Sequence, residues 1–435
     1  MKRIIIGLIA AYSSIILIAS EGNDAETRST TVNIDINYSD LINIQAKYTE
    51  LTIETWDKNE VEVQASIKYD GKMSDEIQEF LEQFENLVRK NIKYRDGELT
   101  IDSGVDFPSK GVKKSFFGLV VEINIGDYEQ ANLEYKIKAP ASNRFIINTS
   151  YKDAQLIGDF AKMEITQYSG ELTAEFIEKA KLNLKYGSAT FKGIGNADIE
   201  MYEQEFESGE IQTLKLDAKY SDLEITEIGT LEAKSYETDY SIGIIGNLSG
   251  NFKYGEMEIT QEIGTAKLTL YEQDIESEKI DKLILESSKY SKVQVARLDD
   301  AELIESYEDE LTIGALGSLK SKNSKYGKYD IDQLQGIFIL YGYEDKIQID
   351  DVSSKAKEIT IDGKYLDIYL GVKETSFQLN SKIKYGELNY NEETIDIRKY
   401  IKESDELEVE LYSKKQNNSP LLIKIYGYEV DMILD

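Results

Sequence analysis

The sequence predicts an all-β chain: a parallel, single-stranded β-solenoid (β-helix) of rungs about 17 residues long, each of two strands, wound right-handed, with one inserted amphipathic helix near the N-terminus. Three observations predict it. A tyrosine-marked motif recurs through most of the 435 residues, apolar and polar residues alternate between the markers, and glycine falls near the end of many units. Self-similarity at a short fixed period marks repeat architectures, whose units cannot bury an apolar face alone and do so by stacking.

The marker is Lys-Tyr, a small residue, any residue, then apolar-any-apolar. It stands at Lys185-Tyr186, Lys219-Tyr220, Lys253-Tyr254, Lys289-Tyr290 and Lys325-Tyr326, with an early copy at Lys47-Tyr48 and a late one at Lys384-Tyr385. A second form alternates with it: Tyr202-Glu-Gln204, Tyr236-Glu-Thr238, Tyr271-Glu-Gln273, Tyr307-Glu-Asp309 and a copy beginning at Tyr341. Successive tyrosines of the merged set lie 15 to 19 residues apart. Between them, runs such as Leu214-Lys-Leu216-Asp-Ala218-Lys-Tyr220 alternate with period 2, the signature of a strand with one buried face. In this reading the Gly or Ser after the tyrosine lets the chain bend, and Gly195, Gly229, Gly246, Gly264, Gly317 and Gly336 mark a second turn. Parallel crossovers are right-handed as a rule. The phase of the alternation places Tyr220 and Tyr254 with the buried set. Stacked equivalents should bring the tyrosines into a ladder that holds the corner of the coil. An outward-facing row, Tyr186, Tyr220, Tyr254, Tyr290, Tyr326 and Tyr385, would instead be a candidate binding ladder.

The ends are less regular. Lys2 and Arg3, the apolar run Ile4 to Ala19 and the small pair Ala19-Ser20 read as a secretory signal peptide over residues 1–20, and 21–31 as a polar linker. Residues 32–150 read as N-terminal rungs, with Lys68-Tyr69 and Lys93-Tyr94 as further copies of the marker. Within them Ile77, Phe80, Leu81, Phe84, Leu87 and Val88 form one stripe of a helix over 74–91, capped by Ser74, suited to covering an end of the coil. Residues 104–118, with Pro108 and the basic Lys110, Lys113 and Lys114, read as a loop. The regular array is expected over 151–400 and capping strands over 401–435.

Composition excludes several classes. The 81 acidic residues outnumber the 50 basic ones, a formal charge of -31, which opposes binding to nucleic acid or to anionic lipid. With neither Cys nor His there is no disulfide, thiolate nucleophile, Ser-His dyad or ordinary zinc site. No cofactor motif is present. The acidic pairs Asp299-Asp300 and Asp350-Asp351 are candidates for the paired carboxylates of a carbohydrate-active enzyme, but both are expected at turns, where acids are common. Calcium along the acidic turns is a further reading, without the glycine-rich repeats or EF-hand loop that would support it.

With these residues in place, the chain resembles the DUF4097 "putative adhesin" group, particularly its Bacteroidetes members. The resemblance is carried by Val61-Glu-Val63-Gln-Ala65, the inserted helix, Leu133-Glu-Tyr135-Lys-Ile137-Lys-Ala-Pro140, Phe145-Ile-Ile-Asn-Thr-Ser150-Tyr151 and the Tyr-Gly rungs. Gly193-Ile-Gly-Asn196 is similar to the related head GIN domain. The resemblance implies a β-solenoid in an extracytoplasmic place and carries over no catalytic residue. The expected function is a non-enzymatic exported adhesin or cell-envelope scaffold with a protein or glycan partner, not integral in the membrane once the signal is removed. The alternatives are a periplasmic envelope-stress accessory protein and a carbohydrate-active β-helix enzyme.

Overall fold

A computed structural model describes residues 26–71, 73, 75–103, 115–116, 119–120, 131–415 and 420–435. The expected signal peptide, the proposed cap Ser74 and the basic residues Lys110, Lys113 and Lys114 lie outside them. The described chain is nearly all β with one helix, and 22 of its strands form one mixed sheet. It divides into two compact units, Met1–Ile211 and Gln212–Asp435.

In the first unit, Leu41–Lys47 pairs in parallel with Arg144–Ser150, which pairs in parallel with Lys162–Tyr168. Glu50–Trp56 pairs likewise with strand residues 154–157. The early Lys47-Tyr48 copy therefore sits directly beside Ser150-Tyr151, although about a hundred residues separate them. The intervening chain builds a cover on the other side. Ala131–Pro140 lies parallel to Glu50–Trp56, then Glu60–Tyr69 and Glu26–Asp35 follow, each antiparallel to its neighbour. Ile92–Arg95 and Glu98–Asp102 form a hairpin on Leu41–Lys47. Three expectations change here. Residues 26–31 belong to a strand and not to a linker. Lys68-Tyr69 and Lys93-Tyr94 lie on antiparallel cover strands and are not rungs. Ser115–Phe116, within the expected loop, pairs with Leu119–Val120.

The helix runs Asp75–Asn91 and packs against Glu26–Asp35 and the hairpin. Leu81, Phe84 and Val88 are buried, on the stripe the sequence marks.

In the second unit the register is explicit. Asp274 pairs with Lys292, Lys292 with Glu310, Glu310 with Lys328 and Lys328 with Lys346, each 18 residues on. Later steps lengthen: Lys346 pairs with Asp367. Pairing within a turn is broken into the runs 292–295, 297–298, 300–303 and 306–307, more than the two strands expected. Short straight runs separated by one or two residues outside the paired register let the chain bend without long loops. At the end the order of stacking departs from the order of the chain. Leu421–Leu434 pairs in parallel with Glu358–Leu370, and Phe377–Lys384 lies on its far side, so the turn bearing Tyr385 stacks outside a later segment. Glu406–Ser413 and Ile395–Glu403 then add antiparallel strands, which places Ile395–Glu403 outside the regular array expected to reach residue 400.

Inward positions are mostly aliphatic, with Phe at several, as Leu214, Leu216, Ala218, Leu223, Ile225 and Phe252 show, and apolar burial recurs turn after turn to Val430 and Met432. Burying each such side chain contributes about 1.5–3 kcal/mol, which is what stacking gains for units too small to fold alone. The marked glycines serve this stacking rather than bending. Gly195, Gly229, Gly246, Gly264, Gly317 and Gly336 all lack a left-handed conformation, and a Cβ on any of them would lie 2.2–2.6 Å from the carbonyl oxygen of the adjacent rung. Gly187 and Gly255, after their tyrosines, are of the same kind.

Candidate functional site

The bend at each tyrosine marker is formed by residues that seldom adopt its conformation. In the Lys-Tyr rungs the tyrosine itself is left-handed: Tyr186 has φ 60°, Tyr220 54°, Tyr254 57°, Tyr290 57° and Tyr326 59°. In the alternating rungs the residue after the tyrosine takes that place: Glu203, Glu237, Glu272, Glu308 and Glu344, with φ between 46° and 54°. The two sequence forms are thus one corner in two settings, displaced by one residue. The left-handed residue also breaks the period-2 phase. Ala218 is buried, yet Tyr220, two positions on, is 43% exposed, against the sequence expectation for Tyr220 and Tyr254.

The register turns this alternation into a pattern. Lys289, Tyr307, Lys325, Tyr343, Lys364 and Tyr428 align in one column. In the next column Tyr290, Tyr326 and Tyr365 alternate with Glu308, Glu344 and Glu429, all left-handed. Tyrosines therefore zigzag between the columns, with a row of Lys on one side and a row of Glu on the other. In the second unit the rings meet edge to face, with centroids 5.1–5.9 Å apart from Tyr220–Tyr236 to Tyr385–Tyr428. The first unit has Tyr48, Tyr151, Tyr168, Tyr186 and Tyr202 in the same relation, the first pair stacked flat at 4.8 Å.

Of the six residues of the candidate binding ladder, Tyr186 belongs to the row of the first unit and Tyr220, Tyr254, Tyr290, Tyr326 and Tyr385 to the ribbon of the second, and none is buried. The sequence reading omitted Tyr168, Tyr365 and Tyr428, and it assigned Tyr341 where Tyr343 is the ribbon member. For Tyr343 and Tyr428 the Glu that follows was the available signal; Tyr168 is followed by Ser169 and Tyr365 by Leu366. Glu308 and Glu344 hydrogen-bond the hydroxyls of Tyr307 and Tyr343 and hold them above the usual phenol range.

Behind the ribbon the corner is polar and buried. The third residue of the Tyr-Glu-x form points inward. Gln204 accepts from the Gly187 N–H at 3.2 Å, Asp309 from the Ser291 N–H at 3.0 Å and Asp345 from the Gly327 N–H at 2.6 Å. Ser306 donates to Asp309 at 2.6 Å, Ser324 to Asp345 at 2.9 Å, and the buried Tyr329 hydroxyl to Ser324 at 2.8 Å. Burial pushes both carboxyls upward against these donors, Asp345 to about 6.

The acidic pairs lie elsewhere. Asp299 accepts from Arg297 at 2.8 Å, Asp350 from Gln348 at 2.9 Å and Asp351 from Gln333 at 2.8 Å, and Asp299 and Asp350 are the single unpaired residues between paired runs, where the chain bends. Among the described residues no group of three or more His, Cys, Asp or Glu could hold a metal ion, and no helix is long and apolar enough to cross a membrane.

The second unit also carries a groove of about 430 Å³ on the outer face of its sheet, over the strands containing Lys328, Lys346, Asp367, Asp431 and Glu387. Asp330, Gln348, Tyr369, Ile433 and Asn389 are consecutive neighbours across these strands and line it.

No family model matches the chain, and no curated protein does. Among solved structures it is similar to a "putative cell adhesion protein" from Clostridium sporogenes, at 9% identity and a TM-score of 0.19, covering 94% of this chain and all of that one. A "putative lipid binding protein" from Parabacteroides distasonis follows at 15% identity and a TM-score of 0.16, covering 75% of this chain and 97% of that one. At these scores neither likeness bears on fold or function here.

Proposed function

We propose that this chain is a non-enzymatic, exported binding scaffold of the cell envelope: a β-solenoid that presents a repeated tyrosine ribbon to a protein or glycan partner. The observation that carries the reading is the ribbon. Buried aromatic ladders need no partner, but here ring after ring stands at the surface, flanked by Lys on one side and Glu on the other. A row of equivalent contacts favours a polymeric or multivalent partner, because many weak contacts along one row add through effective concentration. The basic, apolar and small-residue order of residues 1–20 supports export. The DUF4097 resemblance points the same way.

The test is retention of envelope fractions and arrayed glycans by the purified protein and by a variant with Tyr220, Tyr254, Tyr290 and Tyr326 all changed to Ser. Retention that is lost in the variant supports the reading. No retention by the unaltered protein, or equal retention by both, overturns it.

A further inference from the structure

The groove of the second unit is a different surface from the ribbon. Its central row runs across five strands in register: Asp330, Gln348, Tyr369, Ile433 and Asn389. Adjacent strands lie about 4.8 Å apart, so the row spans about 19 Å. The strand spacing is close to the length of one pyranose unit in an extended β-linked glycan.

The chemistry of the row is specific. Tyr369 and Ile433 place an aromatic and an aliphatic surface at its centre, and Ile433 is 47% exposed, an unusual place for a large aliphatic residue on a charged chain. Amides flank them in Gln348 and Asn389. Carboxylates stand at Asp330 and in the parallel row at Asp367. The Tyr369 hydroxyl is already held, donating to Asp435 at 3.2 Å, so its ring is fixed and its side chain loses little freedom on binding. An apolar centre rimmed by carboxylates and amides suits a sugar. The ring's C–H face packs on the aromatic, and each hydroxyl brings a proton for a carboxylate or amide oxygen. The rim also carries Lys328 and Lys346, but the four carboxylates of Asp330, Asp367, Glu387 and Asp431 leave it net negative, which disfavours uronic acids and other anionic polymers.

We infer that this groove binds a neutral, extended β-linked oligosaccharide of about four units, with Tyr369 as the stacking residue. The inference adds a ligand class and a second site to the scaffold reading and does not depend on the ribbon.

Isothermal titration of the full chain with cellotetraose, chitotetraose and β-1,4-mannotetraose tests it. At least one is expected to bind. Tyr369→Ala should weaken that binding by about tenfold, the loss of one aromatic contact, while Tyr369→Phe, which keeps the ring, stays within a few-fold. Thermal melts of the variants separate lost binding from lost folding, and the four-Ser ribbon variant should bind the saccharide unchanged. Absence of binding by all three saccharides, or binding indifferent to Tyr369→Ala, overturns the inference. Loss in the ribbon variant alone assigns the sugar to the ribbon and overturns it as well.

Discussion

At the corner of each rung, a residue with a Cβ occupies left-handed backbone space at a cost of about 1–2 kcal/mol. Each rung also adds one edge-to-face ring contact, worth about 0.5–1.5 kcal/mol. The two nearly cancel, which explains why bulky tyrosines sit where glycine is expected. An inverted substitution result follows. Tyr254→Gly relieves the left-handed strain and Tyr254→Ala does not, so the Gly variant should be more stable than the Ala variant by about 1 kcal/mol, opposite to the usual order within strands. Denaturant melts of the pair decide it. Gly255→Ala behaves differently. Its new Cβ would lie 2.4 Å from the Thr238 carbonyl oxygen, and a loss of about 1–3 kcal/mol is expected. Asp345 sets a pH dependence. Its folded pKa is raised from the model-compound 3.8 to about 6, so the folded protein holds the proton more tightly than the unfolded chain. Its contribution is fully present below about pH 4 and is lost as pH rises through 6, a difference of about 3 kcal/mol. Asp345→Asn should flatten the stability profile between pH 4 and 6. A profile in that window unchanged by the substitution counts against the buried-acid assignment.

Among the elements, the strands and the helix were legible for different reasons. Alternation in Leu214-Lys-Leu216-Asp-Ala218 reports burial directly, and the Ile77 to Val88 stripe reports a helix because period 3.6 cannot be confused with period 2. The tyrosines were misphased because a left-handed residue flips the face, and nothing in the spacing of Tyr220 announces its φ. The glycines were given the wrong task for a related reason: close approach to a carbonyl in the next rung depends on residues 17 to 19 positions away. The buried Asp309 and Asp345 stood in plain view as the third residue of the Tyr-Glu-x form, but an acid in a turn looks solvated until its donors are located. The groove was not legible, since Asp330 and Asn389 become neighbours of one row only through the exchanged order of the last segments. The helix covers strand Glu26–Asp35 with Leu81, Phe84 and Val88. Phe84→Ala should therefore cost about 3–5 kcal/mol, seen as early hydrogen exchange in the helix and in Glu26–Asp35, while exchange around Leu311–Ile313 stays unchanged.

For the whole molecule, a charge of -31 is spread over a surface on which some lysines pair with acids on neighbouring strands, as Lys328 does with Glu310 and Lys279 with Glu262. Such exposed pairs contribute little, about 0–1 kcal/mol each, and their chief effect is to keep like charges from facing one another along a column. What organises the chain is the rung register, from which the ribbon, the buried corner and the groove all follow. The absence of cysteine permits a direct check, since any introduced pair is the only pair present. Thr312 is in register with Asp330, one rung away, and Asp330 with Gln348, one rung further. Adjacent strands lie within disulfide reach, and two rungs do not. On mild oxidation, the Thr312→Cys/Asp330→Cys protein should close an intramolecular disulfide readily, and Thr312→Cys/Gln348→Cys should not. Equal closure of both pairs, or failure of the first, would contradict the stacked-rung account.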